Sequence, residues 1–311
     1  MSAEYFPKNS KIECLQAPDG ISLRIASILP EGPVRGQIVV VNGHREYLEK
    51  YQEFFQDLLD RGLQVFSMDL RGQGLSGRLL EDRHRSYINS FDLYLSDLAL
   101  VLTHFGLMSR RNREKPLYLL GHSMGGHIAF RFLHDHPGVF DKAVLLSPMM
   151  GINLGPPLKA QLSRWLIKLA CLLGFEKEYA PGQEPKTGEE LQLLVSDLLT
   201  HDVSRYETES RIMTSNPDLY SGGATFGWLR AALQSIQTVR RPGYAEAVKL
   251  PLLAFLAEAE RLVVNDTAHE VLKRLPNGRI EIVRGAYHEI YRETDEIRRE
   301  MWTVLEEFLA V

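Results

Sequence analysis

Cysteine is nearly absent: the 311-residue chain has two, Cys14 and Cys171, far apart in sequence. They form no metal-binding pattern and leave no disulfide framework. Long apolar runs are lacking too, and no stretch approaches the length needed to cross a bilayer. Residues 1–11 are polar and carry no apolar segment of the kind a signal peptide needs. An excess of basic charge is likewise missing. With 36 Lys and Arg against 40 Asp and Glu, the net charge is −4, and a nucleic-acid partner, which needs a basic surface, is not expected. Internal repeats and low-complexity tracts are also wanting. The expectation is a cytoplasmic globular protein, peripheral at most to the inner face of the membrane, with one large core or two smaller ones.

What is present is a recurring alternation. Short aliphatic and β-branched runs mark strands at Lys11–Leu15, Ile21–Ile28, Gly36–Asn42, Leu63–Asp69, Pro116–Gly121, Lys142–Ser147, Leu252–Ala257 and Arg279–Val283. The first two read as an edge hairpin through Pro18-Asp19-Gly20. The central runs are apolar at consecutive positions, which suits parallel strands buried on both faces. Helical patterns lie between them at Leu48–Arg61, Ser90–Phe105 and His127–His134. Strand alternating with helix predicts an α/β fold, an open and mostly parallel eight-stranded sheet with crossover helices.

The alternation stops at Ser147-Pro148 and resumes at Leu252. The interval holds an amphipathic stretch, Leu158 to Gly174, with Leu158, Leu162, Trp165, Leu166, Leu169, Leu172 and Leu173 at helical spacing and Lys159, Arg164 and Lys168 among them. A polar stretch, Glu176 to Glu190, follows, and helical character returns from Glu190. The leucine stripe has two compatible readings. It packs on the core and lines a site, or it touches a membrane or micelle surface.

The chemistry-bearing motif is Gly121-His122-Ser123-Met124-Gly125-Gly126, a Gly-x-Ser-x-Gly preceded by a strand-like run and followed by a helical one. Strand, tight turn and helix together stand the serine hydroxyl above the end of a sheet at a helix N-terminus. Serine is a weak nucleophile and needs a base to take its proton. Ten histidines are present, but only His269 and His288 follow the seventh strand candidate. His269 falls in Asp266–Leu275, which reads as a surface helix. His288 follows the eighth strand through a short loop.

The motif resembles the nucleophile elbow of the α/β-hydrolase family, and within it that of the monoacylglycerol lipases and bacterial lysophospholipases. Gly285-Ala286-Tyr287-His288-Glu289-Ile290, Asp69-Leu70-Arg71-Gly72-Gln73-Gly74-Leu75-Ser76-Gly77 and Asp218–Gly227 resemble further segments of the same branch. The resemblance runs from about Ile21 to the C-terminus and is weakest between Gly151 and Arg240. It implies the α/β-hydrolase fold, with core segments 1–147 and 243–311 and a helical cap, or lid, over 148–242. It also implies the chain order serine, acid, histidine, with Ser123 as nucleophile and His288 as base.

The family's acid position falls on Glu260, where aspartate is usual. Asp266 and Glu258 remain alternatives in the same loop. The oxyanion donors implied are the backbone N–H of Met124 and that of His44, in a loop where Asn42-Gly43 replaces the family's His-Gly. Leu162, Trp165, Leu166 and Leu169 of the cap are the expected substrate-binding residues. No cofactor and no metal are called for. The glycines of Asp69–Gly77 read as a tight turn, since no Gly-Lys-Ser/Thr ending makes them a phosphate cradle.

The implied activity is hydrolysis of carboxylic esters of single-chain lipids, lysophospholipid or monoacylglycerol, through an acyl-enzyme. An acyltransferase or thioesterase would use the same three residues. A non-catalytic binding protein on this fold would normally lack one of them. Membrane-surface contact through the cap is the other expected partnership.

Overall fold

A computed structural model describes residues 5–184 and 198–311. Eight strands form one sheet: β1 (Ser10–Gln16), β2 (Ser22–Ile28), β3 (Gly36–Val41), β4 (Leu63–Met68), β5 (Leu117–His122), β6 (Lys142–Leu146), β7 (Leu252–Ala257) and β8 (Gly278–Val283). Their spatial order is β1-β2-β4-β3-β5-β6-β7-β8. The β1–β2 and β2–β4 pairs are antiparallel and the pairs from β4 to β8 are parallel. The expected hairpin closes through Pro18-Asp19-Gly20, with Ser22 opposite Gln16.

Consecutive apolar residues serve both faces of the central strands. Val39 and Val41 of β3 join one core, while Ile38 and Val40 join the other. On β5, Leu117 and Leu119 face one side, Tyr118 and Leu120 the other. This is why the sequence shows runs and not alternation. Helix α1 (Gln52–Asp60) and the C-terminal helix α9 (Asp295–Leu309) cover the second of these faces. Helices α2 (Asp92–His104), α3 (Met124–Asp135) and α8 (Asn265–Leu272) cover the first.

The chain leaves β3 for β4 on one side, then returns to β5 on the other. The carboxyl ends of β3 and β5 therefore flank a topological switch point, where open α/β sheets place their sites.

Between β6 and β7 the described residues form α4 (Pro157–Leu172), α5 (Val203–Ser215), α6 (Phe226–Val239) and the short α7 (Tyr244–Ala247). The helical character expected from Glu190 lies mostly outside the described residues. Helix α4 packs against α6, and Ile167 is its one buried side chain. Leu162, Trp165 and Leu166 are exposed and Leu169 is half-buried, so this stripe faces outward and does not seat in the core. Among the described residues, no helix is long and apolar enough to cross a membrane.

Candidate active site

Ser123 stands between the end of β5 and the start of α3 with φ +52° and ψ −117°. A non-glycine residue held there is strained by about 1–3 kcal/mol, so its surroundings must impose it. They do so through the main chain. The Ser123 N–H donates to the Leu146 carbonyl at 2.9 Å, and the Ser123 carbonyl accepts from the N–H groups of His127 (3.1 Å) and Met149 (2.9 Å). The flanking glycines are required by space. A Cβ on Gly121 would lie 2.5 Å from the Gly125 carbonyl oxygen, and one on Gly125 would lie 2.1 Å from that of Val41. The second contact presses the turn against the end of β3.

The histidine implied by the resemblance meets the serine, and Glu260, of the three carboxylates left open, meets that histidine. His288 Nε2 lies 2.9 Å from Ser123 Oγ, and His288 Nδ1 lies 2.7 Å from Glu260 Oε2. Both Ser123 and His288 are buried. The other carboxylate oxygen, Glu260 Oε1, accepts from the backbone N–H groups of Arg261 (3.0 Å), Leu262 (2.8 Å) and Val263 (3.2 Å). Burial pushes the Glu260 carboxyl up, but the His288 imidazole and these amides outweigh it and hold the pKa below the usual value.

The rival carboxylates stand elsewhere. Asp266 is exposed in the first turn of α8. Glu258 is exposed and accepts from the Gly285 N–H at 2.9 Å. His269 is exposed on α8.

The loop after β3 comes from the same switch point. Met124 is the first residue of α3, so its N–H has no acceptor within the helix. Across from it, Asn42, Gly43 and His44 are held by side chains from three elements. Asn42 Oδ1 accepts from Ser67 Oγ at 3.2 Å, and the Gly43 N–H donates to Glu46 Oε2. Arg45 has φ +67° and donates its N–H to Gln73 Oε1 at 2.8 Å, while Gln73 Nε2 donates to the Gly43 carbonyl at 2.9 Å. The His44 ring stacks on Trp228 with centroids 4.2 Å apart. Burial, aided by the Arg45 charge, lowers its pKa to about 3, so the ring is neutral.

The Asp69–Gly77 turn supports this loop through Gln73. Buried Asp69 accepts from the Leu48 and Leu75 N–H groups, each at 2.8 Å, and pairs with Arg24 at 3.1 Å. A Cβ on Gly74, where φ is +50°, would lie 2.3 Å from that carboxylate.

One part of the site was invisible to sequence reasoning. His122 is buried beside the serine, with Nδ1 3.2 Å from Glu46 Oε2 and Nε2 3.3 Å from the His288 carbonyl oxygen. Both neighbours are acceptors, so both ring nitrogens carry hydrogen and the ring is an imidazolium. Burial alone would lower its pKa, but the Glu46 carboxylate outweighs burial and raises it.

Glu46 also pairs with Lys50 at 3.4 Å. Lys50 reaches Glu289 at 2.5 Å and Glu209 at 3.2 Å, and Arg292 joins the same two carboxylates at 2.7 and 2.5 Å. Three carboxylates thus meet three cations, and each buried charge has a partner. The available signals were the four-residue spacing of Glu46 and Lys50 and the three-residue spacing of Glu289 and Arg292. Neither says what lies across the fold.

Segments from the β6–β7 interval reach the site directly. The His288 and Glu289 N–H groups donate to the Leu198 and Leu199 carbonyls at 3.4 and 2.8 Å. Arg45 donates from Nε to the Ser221 carbonyl (2.9 Å) and from Nη2 to the Tyr220 hydroxyl (3.1 Å). Among the described residues, no group of His, Cys, Asp and Glu could hold a metal ion.

The family model for serine aminopeptidase, S33, matches residues 32–295. The chain is 34% identical to lysophospholipase L2 of Escherichia coli over 272 residues, covering 84% of this chain and 76% of that one. It is 31% identical to a probable lysophospholipase L2 of Haemophilus influenzae over 284 residues, covering 91% and 87%. Among solved structures, a soluble variant of monoglyceride lipase from Saccharomyces cerevisiae, in complex with a substrate analog, matches with a TM-score of 0.75. At 17% identity over 97% of this chain and 96% of that one, it speaks to the fold. With most of its length matched by one family model, the chain belongs to the serine aminopeptidase S33 family, on the α/β-hydrolase fold.

Proposed function

We propose that this chain is a carboxylic ester hydrolase acting on single-chain lipids, lysophospholipid or monoacylglycerol, with Ser123, His288 and Glu260 as its triad. The observation that carries the reading is the placement of His288 between Ser123 Oγ at 2.9 Å and Glu260 Oε2 at 2.7 Å. Ser123 attacks the ester carbonyl as His288 Nε2 takes its proton. Glu260 fixes the imidazole tautomer and stabilises the imidazolium. The N–H groups of Met124 and His44 hold the oxyanion. The alcohol leaves with the proton from His288, and water, activated by the same ring, frees the fatty acid from the acyl-enzyme.

The lipid choice rests on the lysophospholipase L2 relatives. It gains support from the outward face of α4. Leu158, Leu162, Trp165, Leu166 and Leu172 are exposed there, interspersed with Lys159, Arg164 and Lys168. An apolar face bordered by cations suits contact with an anionic lipid surface. In this reading 148–242 is a cap on a core of 1–147 and 243–311, and Leu162, Trp165, Leu166 and Leu169 guide the acyl chain.

A fluorophosphonate probe should label Ser123, and Ser123→Ala should lose about four to six orders of magnitude in turnover of lysophospholipid and monoacylglycerol while folding normally. Near wild-type turnover in purified Ser123→Ala would overturn the mechanism.

A further inference from the structure

A cluster of basic side chains beside the segments that hold Arg45 and Gly43 has too few acceptors. Arg78 Nη2 and Arg83 Nη2 both donate to the main-chain carbonyl of Asp218, at 3.3 and 3.1 Å. Arg78 Nη2 also donates to the Gly74 carbonyl at 2.8 Å. Among the described residues, Asp218 is the one carboxylate in ion-pair contact with either guanidinium, through Arg83 Nη1 at 3.4 Å, and its side chain is 64% exposed. Arg78 Nε and Nη1, Arg83 Nε and the ring nitrogen Nδ1 of His84 are buried with no hydrogen-bond partner.

Buried donors are nearly always satisfied, and charged ones are the most expensive to leave unmet. The nearby carboxylates do not relieve this. Asp82 and Glu178 pair with Arg85, and Asp69 pairs with Arg24. Burial and the Arg83 charge together lower the Arg78 pKa to about 10, the mark of an undercompensated cation.

The cluster is tied to the oxyanion loop by two routes. Tyr220 and Ser221, just beyond Asp218, hold Arg45, the residue after His44. Gly74, which Arg78 holds, follows Gln73, whose amide bonds Gly43.

We infer that Arg78 and Arg83 bind a phosphate ester, the head-group phosphodiester of a lysophospholipid whose acyl ester sits at Ser123. This rests on the ester-hydrolase reading above and deepens it. Two guanidinium forks with several open donors call for a group offering several acceptor oxygens, which a phosphate does and a neutral glycerol does not. In a lysophospholipid that phosphate lies one glycerol away from the ester. The incoming phosphate exchanges with the exposed Asp218 carboxylate.

The test uses the full chain and two substrates of equal acyl length, lysophosphatidylcholine and monoacylglycerol. Each charge-assisted contact is worth about 1.5–3 kcal/mol, so Arg78→Gln and Arg83→Gln should each lower kcat/KM on lysophosphatidylcholine by about tenfold or more. In Arg83→Gln, monoacylglycerol turnover should change less than twofold. Asp218→Asn should move preference the other way, toward lysophosphatidylcholine, because it removes the competing carboxylate. Arg83, on the exposed side of the cluster, keeps the test open if Arg78→Gln fails to fold.

In parallel, glycerophosphocholine and inorganic phosphate are titrated into Ser123→Ala. Saturable glycerophosphocholine binding that Arg83→Gln abolishes supports the site, and reports on it even if the wild type hydrolyses neither lipid. Binding of inorganic phosphate with no change in substrate preference would mark a free-phosphate site and overturn the head-group assignment. Equal losses on both substrates, or none on either, would overturn it too.

Discussion

His122 donates from Nε2 to the main-chain carbonyl of His288 at 3.3 Å, so the residue before the proposed nucleophile holds the loop of the proposed base. Its other nitrogen faces Glu46, which in turn receives the Gly43 N–H of the oxyanion loop. One charged ring therefore fixes the spacing of three parts of the proposed machinery. His122→Gln can supply only part of this and leaves Glu46 with Lys50 as its one remaining cation. Breaking a buried pair in this way costs about 3–5 kcal/mol. The variant should unfold at lower urea. In protein that remains folded, kcat should fall more than KM rises. A folded variant with wild-type kcat would show that the link is only structural.

Glu260→Gln should cost far more activity than Asp266→Asn. Glu260 contacts His288 Nδ1, whereas Asp266 is exposed on α8. Loss of the orienting acid costs roughly four orders of magnitude in kcat where it has been dissected in a serine protease. Steady-state rates on a soluble acetate ester decide the matter. The greater loss in Asp266→Asn would reassign the acid.

How far the sequence carried this picture depends on the range of the interactions. The central strands were legible because burial on both faces writes consecutive apolar runs such as 38–41 and 143–146, the half-buried edge strands β1 and β8 through their alternating apolar residues, and all their ends fell within one or two residues. Ser123 was legible because its constraint is local: glycines at 121 and 125 are needed where a Cβ would strike backbone. Glu260 stood among three carboxylates within nine residues. What separates it is the nest of three N–H groups that turns it toward His288, a loop geometry that no periodicity encodes.

Of the Glu46–Lys50–Glu209–Glu289–Arg292 group only the two local spacings were legible, since the contacts that join them, such as Lys50–Glu289 and Arg292–Glu209, span 239 and 83 residues. For α4 the helical period was plain, but a period cannot say which face is covered. The structure leaves the leucine side bare and buries Ile167.

Two histidines should give stability opposite pH dependences. Burial and the Arg131 charge lower the pKa of His127 to about 3, against 6.5 in the unfolded chain. Between those values the unfolded state binds the extra proton, so stability is lost as pH falls, by up to about 1.4 kcal/mol per unit. His122 is raised instead, so its contribution is complete below pH 6.5 and is lost as pH rises through its folded value. Urea midpoints from pH 4 to 9 should show a shallower acid limb in His127→Gln and a shallower alkaline limb in His122→Gln. Parallel profiles for wild type and both variants would refute these protonation states.

The bare face of α4 should matter for substrates presented on a surface and little for dissolved ones. Leu162 and Trp165 are 56% and 58% exposed, so replacing them removes almost no packing from the fold. Leu162→Asp/Trp165→Asp should leave the urea midpoint and the rate on a soluble acetate ester close to wild type. Its sedimentation with anionic phospholipid vesicles should fall, and so should turnover of long-chain substrate above the micelle threshold. Each methylene withdrawn from water is worth about 0.8 kcal/mol, so the long-chain deficit should grow with acyl length if this face also guides the chain. A deficit independent of acyl length, together with lost vesicle binding, would assign the face to surface docking alone. Equal loss on micellar and soluble esters in a folded protein would assign it to neither, and the lipid reading would then rest on the lysophospholipase relatives alone.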